Sequence, residues 1–228
     1  MEHKRQPPKP PETGRPAPVT VPAGEVALAG DLAVPEGARG IVLFAHGSGS
    51  GRHSPRNRYV ADALGSRGLA TLLIDLLTGE EERIDLVTRH LRFDIPLLAA
   101  RLTCAAEWLA RDPATRELAI GLFGASTGAA AALITAAGLP DRIAAVVSRG
   151  GRPDLAAEHL ESVRAPTLLI VGGEDHEVIR LNRSALARLR ALKKLEIVPG
   201  ATHLFEEPGK LEEVARLAGE WFERYLTA

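Results

Sequence analysis

Residues 118–132 read L-A-I-G-L-F-G-A-S-T-G-A-A-A-A, and this stretch decides the fold. Its first six residues are mostly apolar and have the length of a buried strand, whereas residues 129–137 form an alanine-rich run typical of a helix. The pentapeptide between them, G-x-S-x-G, holds one serine at the apex of a sharp turn when a strand precedes it and a helix follows. Gly124 and Gly128 let the strand and the helix approach where a Cβ atom would clash. The stretch therefore predicts that Ser126 is a nucleophile at a helix start, where free N–H groups favour an oxyanion.

Short apolar strands alternate with helical segments along the rest of the chain. An antiparallel pair at 19–34 is expected at one edge of a sheet. Further strands are expected at 40–45, 69–73, 118–123, 143–147, 166–171 and 195–198. Helical patterns cover 57–66, 83–112 with a break near residues 94–96, 129–137, 156–163, 179–192 and 211–225. This order predicts an α/β protein with a doubly wound, mainly parallel sheet covered by helices. Because the connections are short, we expect no cap or only a minimal lid, for which residues 76–92 are the nearest candidate.

Length and composition fit one soluble domain. The 228 residues are too few for two domains of typical size. We therefore predict one domain at 19–228 after a disordered, proline-rich arm at 1–18. A formal net charge of −1 gives no electrostatic reason to expect nucleic acid or an anionic membrane as a partner. No apolar stretch approaches the length of a membrane span, and the first residues lack the apolar core of a signal peptide. A cytoplasmic location is therefore expected, with monomer and homodimer both open.

The cysteine count excludes an internal disulfide. Cys104 is the only cysteine, and its apolar helical surroundings favour a buried structural thiol. Neither a cysteine pair nor a close histidine pair with metal-ligand spacing is present, so we predict no metal site and no cofactor.

A serine hydroxyl needs a base to take its proton and an acid to orient that base. In an open parallel sheet these groups come from strand ends on one edge. His203 follows the last predicted strand and Asp175 follows the strand before it, which gives the chain order serine, acid, histidine. The alternatives are a surface-loop histidine and a turn or helix-capping aspartate. Glu174 is the rival acid, and Asp154 is a more distant one.

The negative oxygen of a tetrahedral intermediate needs preorganised donors. The backbone N–H of Thr127, at the helix start, is one candidate. The second should come from the glycine-rich loop 46–49 after the first buried parallel strand, and we assign it to the N–H of Ser48. His46 is interpreted as structural, holding this loop by hydrogen bonds. His176 is adjacent to the acid and is expected to point to solvent.

Basic side chains follow the same loop and another strand end. They can form a cationic rim that holds a substrate carboxylate, or they can be solvated residues at a helix entry. The predicted rim consists of Arg52, His53, Arg56 and Arg149, and the same two interpretations apply to Arg58 and Arg152.

Four segments together resemble the α/β-hydrolase superfamily: G-A-S-T-G at 124–128, H-G-S-G at 46–49, G-E-D-H-E-V at 173–178 and T-H at 202–203. The likeness spans nearly the whole chain after the arm, and the small size without a cap is similar to the dienelactone hydrolase family. Residues 46–57, H-G-S-G-S-G-R-H-S-P-R-N, resemble a serine-hydrolase subgroup of that family. Dienelactone hydrolases proper carry cysteine where this chain has Ser126. The resemblance therefore implies a carboxylic-ester hydrolase that works without a cofactor through an acyl-enzyme, and it does not single out dienelactone as the substrate.

The main hypothesis is a serine esterase that acts on small esters or lactones. Amide, thioester or peptide hydrolysis by the same residues is an alternative that only a substrate panel separates. A non-catalytic module that binds a small ligand on the same fold is the alternative from another class, because fold does not guarantee chemistry. Tight binding of a small molecule without turnover of any p-nitrophenyl ester would favour it.

Overall fold

Eight strands pair into a single sheet in the computed structural model of the chain, which describes residues 14–227. In chain order they are β1 Ala17–Ala23, β2 Val26–Ala33, β3 Ile41–Ala45, β4 Ala70–Ile74, β5 Ile120–Ala125, β6 Ile143–Arg149, β7 Thr167–Gly172 and β8 Lys193–Val198. Their order across the sheet is β1-β2-β4-β3-β5-β6-β7-β8. β2 is antiparallel to both of its neighbours, and every later pair is parallel. The predicted mainly parallel sheet with an antiparallel edge is confirmed.

Six α-helices cover the two faces of the sheet. They are α1 Pro55–Gly65, α2 Gly79–Thr88, α3 Ile95–Leu109, α4 Thr127–Gly138, α5 His176–Arg188 and α6 Lys210–Leu226, with 3₁₀ segments at Leu91–Phe93 and Pro153–Ser162. The short helix predicted at 156–163 is present as the second of these 3₁₀ segments, which begins three residues earlier. Within residues 14–227 no helix is long and apolar enough to cross a membrane.

The long helical pattern predicted at 83–112 is divided into α2, a 3₁₀ turn and α3. The break lies where it was predicted, because the Asp94 side chain accepts a hydrogen bond from the N–H of Leu97 at 3.0 Å and begins α3 there. α2 begins earlier than predicted with a capping box, in which Thr78 and Glu81 exchange side-chain and backbone hydrogen bonds.

The central strands are apolar on both faces because each face carries a helical layer. In β3, Val42 and Phe44 pack into the layer of α1 and α6, while Ile41 and Leu43 pack into the layer of α3 and α4. Cys104 on α3 lies at the edge of this second layer and is only partly buried, so the prediction of a buried thiol was wrong.

The predicted arm at 1–18 lies mostly outside the described residues. Its last two residues, Ala17 and Pro18, pair with β2 and belong to β1. The first strand therefore begins two residues before the predicted domain boundary at residue 19.

Candidate active site

Ser126 lies between the end of β5 and the start of α4 in a strained backbone conformation. Its φ and ψ angles are 50° and −120°, a region that residues with a Cβ atom rarely adopt. Its N–H donates to the carbonyl of Arg149 at 3.2 Å, and its own carbonyl accepts from the N–H of Arg152 at 3.1 Å. The last residue of β6 and the loop that follows it therefore hold the strained turn in place.

Two glycines make room for this turn. A Cβ atom on Gly128 would lie 2.5 Å from the carbonyl oxygen of His46 and closer still to that of Ala45. A Cβ atom on Gly124 would lie 2.8 Å from the backbone nitrogen of Ala129. The close approach of strand and helix predicted from G-x-S-x-G is confirmed.

Asp175 and His203 are in direct contact at the ends of β7 and β8. Asp175 Oδ2 lies 2.6 Å from His203 Nδ1, and the two side chains are 15% and 39% exposed. Among the alternative acids, Glu174 is exposed and Asp154 pairs with Arg152 at 2.8 Å. Asp175 thus fixes the orientation of the imidazole, and within residues 14–227 no hydrogen bond is formed by His203 Nε2.

The imidazole of His203 and the backbone of Ser126 both lie beside residues 149 and 150, at the end of β6. A Cβ atom on Gly150 would lie 3.5 Å from His203 Nδ1, and the preceding residue, Arg149, accepts the hydrogen bond from Ser126 N–H. No side-chain hydrogen bond joins Ser126 to His203 among residues 14–227. The structure therefore brings Asp175 and His203 into contact, whereas Ser126 is separated from His203 by the backbone of residues 149 and 150.

The glycine-rich loop after β3 is tied to the start of α4. The N–H of Ser48, one predicted oxyanion donor, donates to Thr127 Oγ1 at 3.0 Å. Thr127 is also the residue whose backbone N–H is the other predicted donor. Within the described chain, the backbone N–H of Thr127 donates no hydrogen bond. The role of the Thr127 hydroxyl was missed in the sequence, because threonine after the serine carries no distinctive signal.

His46 anchors the same loop as a neutral imidazole. Its Nδ1 lies 3.0 Å from the carbonyl of Gly47, and its Nε2 accepts from the N–H of Leu76 at 3.0 Å. Burial lowers the pKa of His46 below its usual value of 6.5. The neutral form is required because a protonated Nε2 would face another donor. The structural role predicted for His46 is confirmed.

The predicted basic rim is divided into two groups. Arg52 donates to Asp75 through its backbone N–H at 2.7 Å and pairs with the same carboxylate through Nη1, while His53 is largely exposed. On the other side of the site, Arg56 Nη1 pairs with Glu206 at 2.7 Å, and Arg149 is buried.

Residues 76–92 lie beside the glycine-rich loop, as predicted for the segment nearest the strand ends. A partly open cavity of about 70 Å³ lies between the two, and its wall includes Leu77, Leu86 and the ion pair of Arg92 with the buried Asp85. The T-x-x-E pattern at 78–81 is the sequence signal that could have revealed α2. Across residues 14–227, no group of three or more His, Cys, Asp or Glu side chains is placed to hold a metal ion.

Comparison with known proteins agrees with this fold. A family model described as the dienelactone hydrolase family matches residues 28–227. A solved dienelactone hydrolase from Anabaena variabilis is 62% identical with a TM-score of 0.93, and the match covers 94% of this chain and 100% of that one. An α/β serine hydrolase without a lid from Xanthomonas campestris is 21% identical and has the same fold, with a TM-score of 0.74 and coverage of 98% and 99%.

Curated relatives from Mycobacterium tuberculosis are longer than this chain. They are 60% identical over 208 residues, and they bear the provisional name phosphoribosyl transferase. The match covers 91% of this chain but only 46% of theirs, so this chain spans about half of their length.

Proposed function

The chain belongs to the dienelactone hydrolase family, and from that premise we propose that it is a serine hydrolase that cleaves small carboxylic esters or lactones. The observation that carries the proposal is the strained Ser126, held at φ 50° between a buried strand and a helix start. Strain of this kind costs about 1–3 kcal/mol and persists where function requires it.

Each proposed step uses one side chain at the strand ends. Ser126 Oγ attacks the ester carbonyl carbon while His203 Nε2 accepts the hydroxyl proton, and Asp175 stabilises the imidazolium. The carbonyl oxygen becomes an oxyanion facing the backbone N–H groups of Thr127 and Ser48. The intermediate then expels the alcohol, which receives the proton from His203. A water molecule, activated by the same imidazole, hydrolyses the acyl-enzyme and returns Ser126.

Two adjustments would accompany substrate binding. The Ser126 hydroxyl must turn towards His203 Nε2, and hydrogen bonds of this kind often tighten only in the substrate complex. The N–H of Ser48 must share its bond to Thr127 Oγ1 with the oxyanion. The 3.0 Å contact between this N–H and the first residue of α4 supports that role.

The proposed partner is a small-molecule ester or lactone, and the proposed location is the cytoplasm. The name phosphoribosyl transferase belongs to proteins about twice as long, and we attribute that activity to the part of them that this chain does not match.

A fluorophosphonate probe tests the assignment of Ser126 directly. Ser126 Oγ of wild type should be phosphonylated by the probe with loss of fluoride, and wild type should turn over p-nitrophenyl acetate, while Ser126→Ala should lose both. The matched control is Ser184→Ala, which removes an exposed hydroxyl on α5 and should behave as wild type. Equal labelling of Ser126→Ala and wild type would refute the proposal.

A further inference from the structure

Asn182 on α5 is fully buried and joins this helix to the segment beside the serine turn. Its Nδ2 donates to the carbonyl of Gly151 at 3.0 Å and to that of Val178, one helical turn earlier, at 2.8 Å. Only the NH2 end of an amide can donate to two carbonyl oxygens, so both of its N–H groups are used. Among residues 14–227 no other hydrogen bond reaches the Gly151 carbonyl. Asn182 is therefore the polar anchor of this carbonyl.

The amide of Asn182 is present although it destabilises the interior at its other end. Its Oδ1 is buried and accepts no hydrogen bond within the described chain. A buried acceptor without a donor costs free energy, and such a group needs an explanation beyond packing. What the amide supplies in return is the N–H group that faces Gly151.

The segment 149–152, to which Gly151 belongs, holds the serine turn at both ends of one residue. The carbonyl of Arg149 accepts from the N–H of Ser126 at 3.2 Å, and the N–H of Arg152 donates to the carbonyl of Ser126 at 3.1 Å. Gly151 lies in the chain between these two contacts. A displacement of Gly151 is therefore passed to Ser126 through two hydrogen bonds.

The same segment borders the imidazole. Gly150 has φ 52°, and a Cβ atom on it would lie 3.1 Å from the carbonyl oxygen of His203 and 3.5 Å from Nδ1. Gly151 packs against the first turn of α4, where a Cβ atom on it would lie 2.6 Å from that of Ala129. The segment thus lies against both the helix that follows Ser126 and the loop that carries His203, and its position sets their separation.

α5 begins directly after the acid of the site. The helix is His176–Arg188, and Asp175 is the residue immediately before it. Asn182 lies about 10 Å from Asp175 along the helix axis, at a rise of about 1.5 Å per residue. One buried amide therefore links the helix that follows the acid to the segment that holds the nucleophile.

We propose that Asn182 is a positioning residue of the proposed hydrolysis. Through the Gly151 carbonyl it fixes the segment 149–152, and this segment holds Ser126 at the distance from His203 that proton transfer requires. The inference rests on the proposed function and adds to it a fully buried residue that acts through backbone atoms.

Labelling kinetics with the fluorophosphonate probe separate positioning from folding. Asn182→Leu removes the donor and keeps the branched shape, so the first-order constant kinact should fall about 10- to 100-fold while KI stays within about threefold. The Tm should fall by about 5 °C, because the Gly151 carbonyl loses its partner. Asn182→Ala removes the same donor together with more volume, and its kinact should fall by a similar factor. It makes the same comparison alone if the leucine variant does not fold.

Two control variants separate the hydrogen bond from other effects. Ala185→Gly weakens the same helix without removing the bond to Gly151, and it should lower Tm by a similar amount with kinact unchanged. Ser148→Ala removes a buried hydroxyl beside Gly151 that forms no hydrogen bond among residues 14–227, and its kinact should stay within about twofold of wild type.

The outcomes distinguish this inference from the proposed function. Wild-type kinact in Asn182→Leu with a lowered Tm would make Asn182 purely structural and overturn the inference, while labelling of Ser126 would leave hydrolysis standing. A loss of kinact in Asn182→Leu that Asn182→Ala does not share would assign the effect to the shape of leucine, and the inference would fall as well. Absence of labelling in wild type would refute the proposed function, and the inference with it.

Discussion

Substituting Gly128 by alanine tests the close approach on which the serine turn depends. The new Cβ atom would lie 2.5 Å from the carbonyl oxygen of His46, below the 3.0 Å that Cβ atoms keep from other atoms, and it would meet Ala45 as well. Both obstacles are backbone atoms at or just after the end of β3, so α4 or the strand must move by more than about 0.5 Å, because the carbonyl oxygen of Ala45 is closer than that of His46. Overpacking against groups that cannot rotate away costs about 3 kcal/mol, near the upper end of the usual range. In a domain of this size that lowers Tm by about 6–12 °C.

Gly138 supplies the matched control on the same helix. It is the last residue of α4, and no atom lies within 4 Å of the position that a Cβ atom would take. Gly138→Ala should therefore stabilise the protein by up to about 1 kcal/mol through helix propensity. Thermal unfolding followed by circular dichroism, with initial rates on p-nitrophenyl acetate, measures both variants. Gly128→Ala with wild-type Tm and wild-type turnover would refute the reasoning, because the clash would then not exist.

Three further outcomes are expected. Asp175→Asn should lower kcat about 10⁴-fold with Tm nearly unchanged, since the imidazole loses its orienting charge; initial rates and a melting curve check this, and a loss under tenfold would contradict the role. Thr127→Val removes the acceptor for Ser48 N–H and should lower kcat/KM about fivefold, whereas Thr127→Ser should not. The pKa of His46 is lower in the folded protein than in the unfolded chain, so its contribution to stability is complete above pH 6.5 and is lost as the pH falls through the folded value. Melting curves from about pH 7 to 5 should show Tm falling, by less in His46→Gln; equal slopes would argue against a neutral imidazole.

The serine turn could be predicted from sequence because its determinants are local. An apolar run, the glycine spacing and the alanine-rich run lie within the twenty residues 118–137, and each constrains the backbone directly. The positions of Asp175 and His203 were also predictable, because parallel strands place their carboxyl ends at one edge. What the chain order alone could not decide was whether Glu174 or Asp175 faces the histidine, since neighbouring residues differ only in the direction of their side chains.

The acidic partners of the basic residues could not be predicted from the sequence, because they depend on contacts between distant parts of the chain. Arg52 is neutralised by Asp75, 23 residues away, and Arg56 by Glu206, 150 residues away. Among residues 14–227, Arg149 Nε and Nη1 are buried without a hydrogen bond, and the charge that acts on its guanidinium is that of Arg56. From the sequence, these basic residues were predicted to form one rim. Their separation into two groups follows from how α1 packs against the strand ends.

Two residues with strained backbone conformations lie at the candidate active site: Ser126 itself and Phe205, close to His203. Ser126 has φ 50°, and Phe205, two residues after His203, has φ 57° although it is fully buried. The strands below are apolar on both faces, so the sheet is rigid enough to hold both conformations. Arg149, whose Nε and Nη1 form no hydrogen bond within residues 14–227, lies at the same carboxyl end of the strands. A site that only stabilised the fold would not collect strain and uncompensated charge in one place. The combination is expected where a substrate completes the contacts that the protein leaves open.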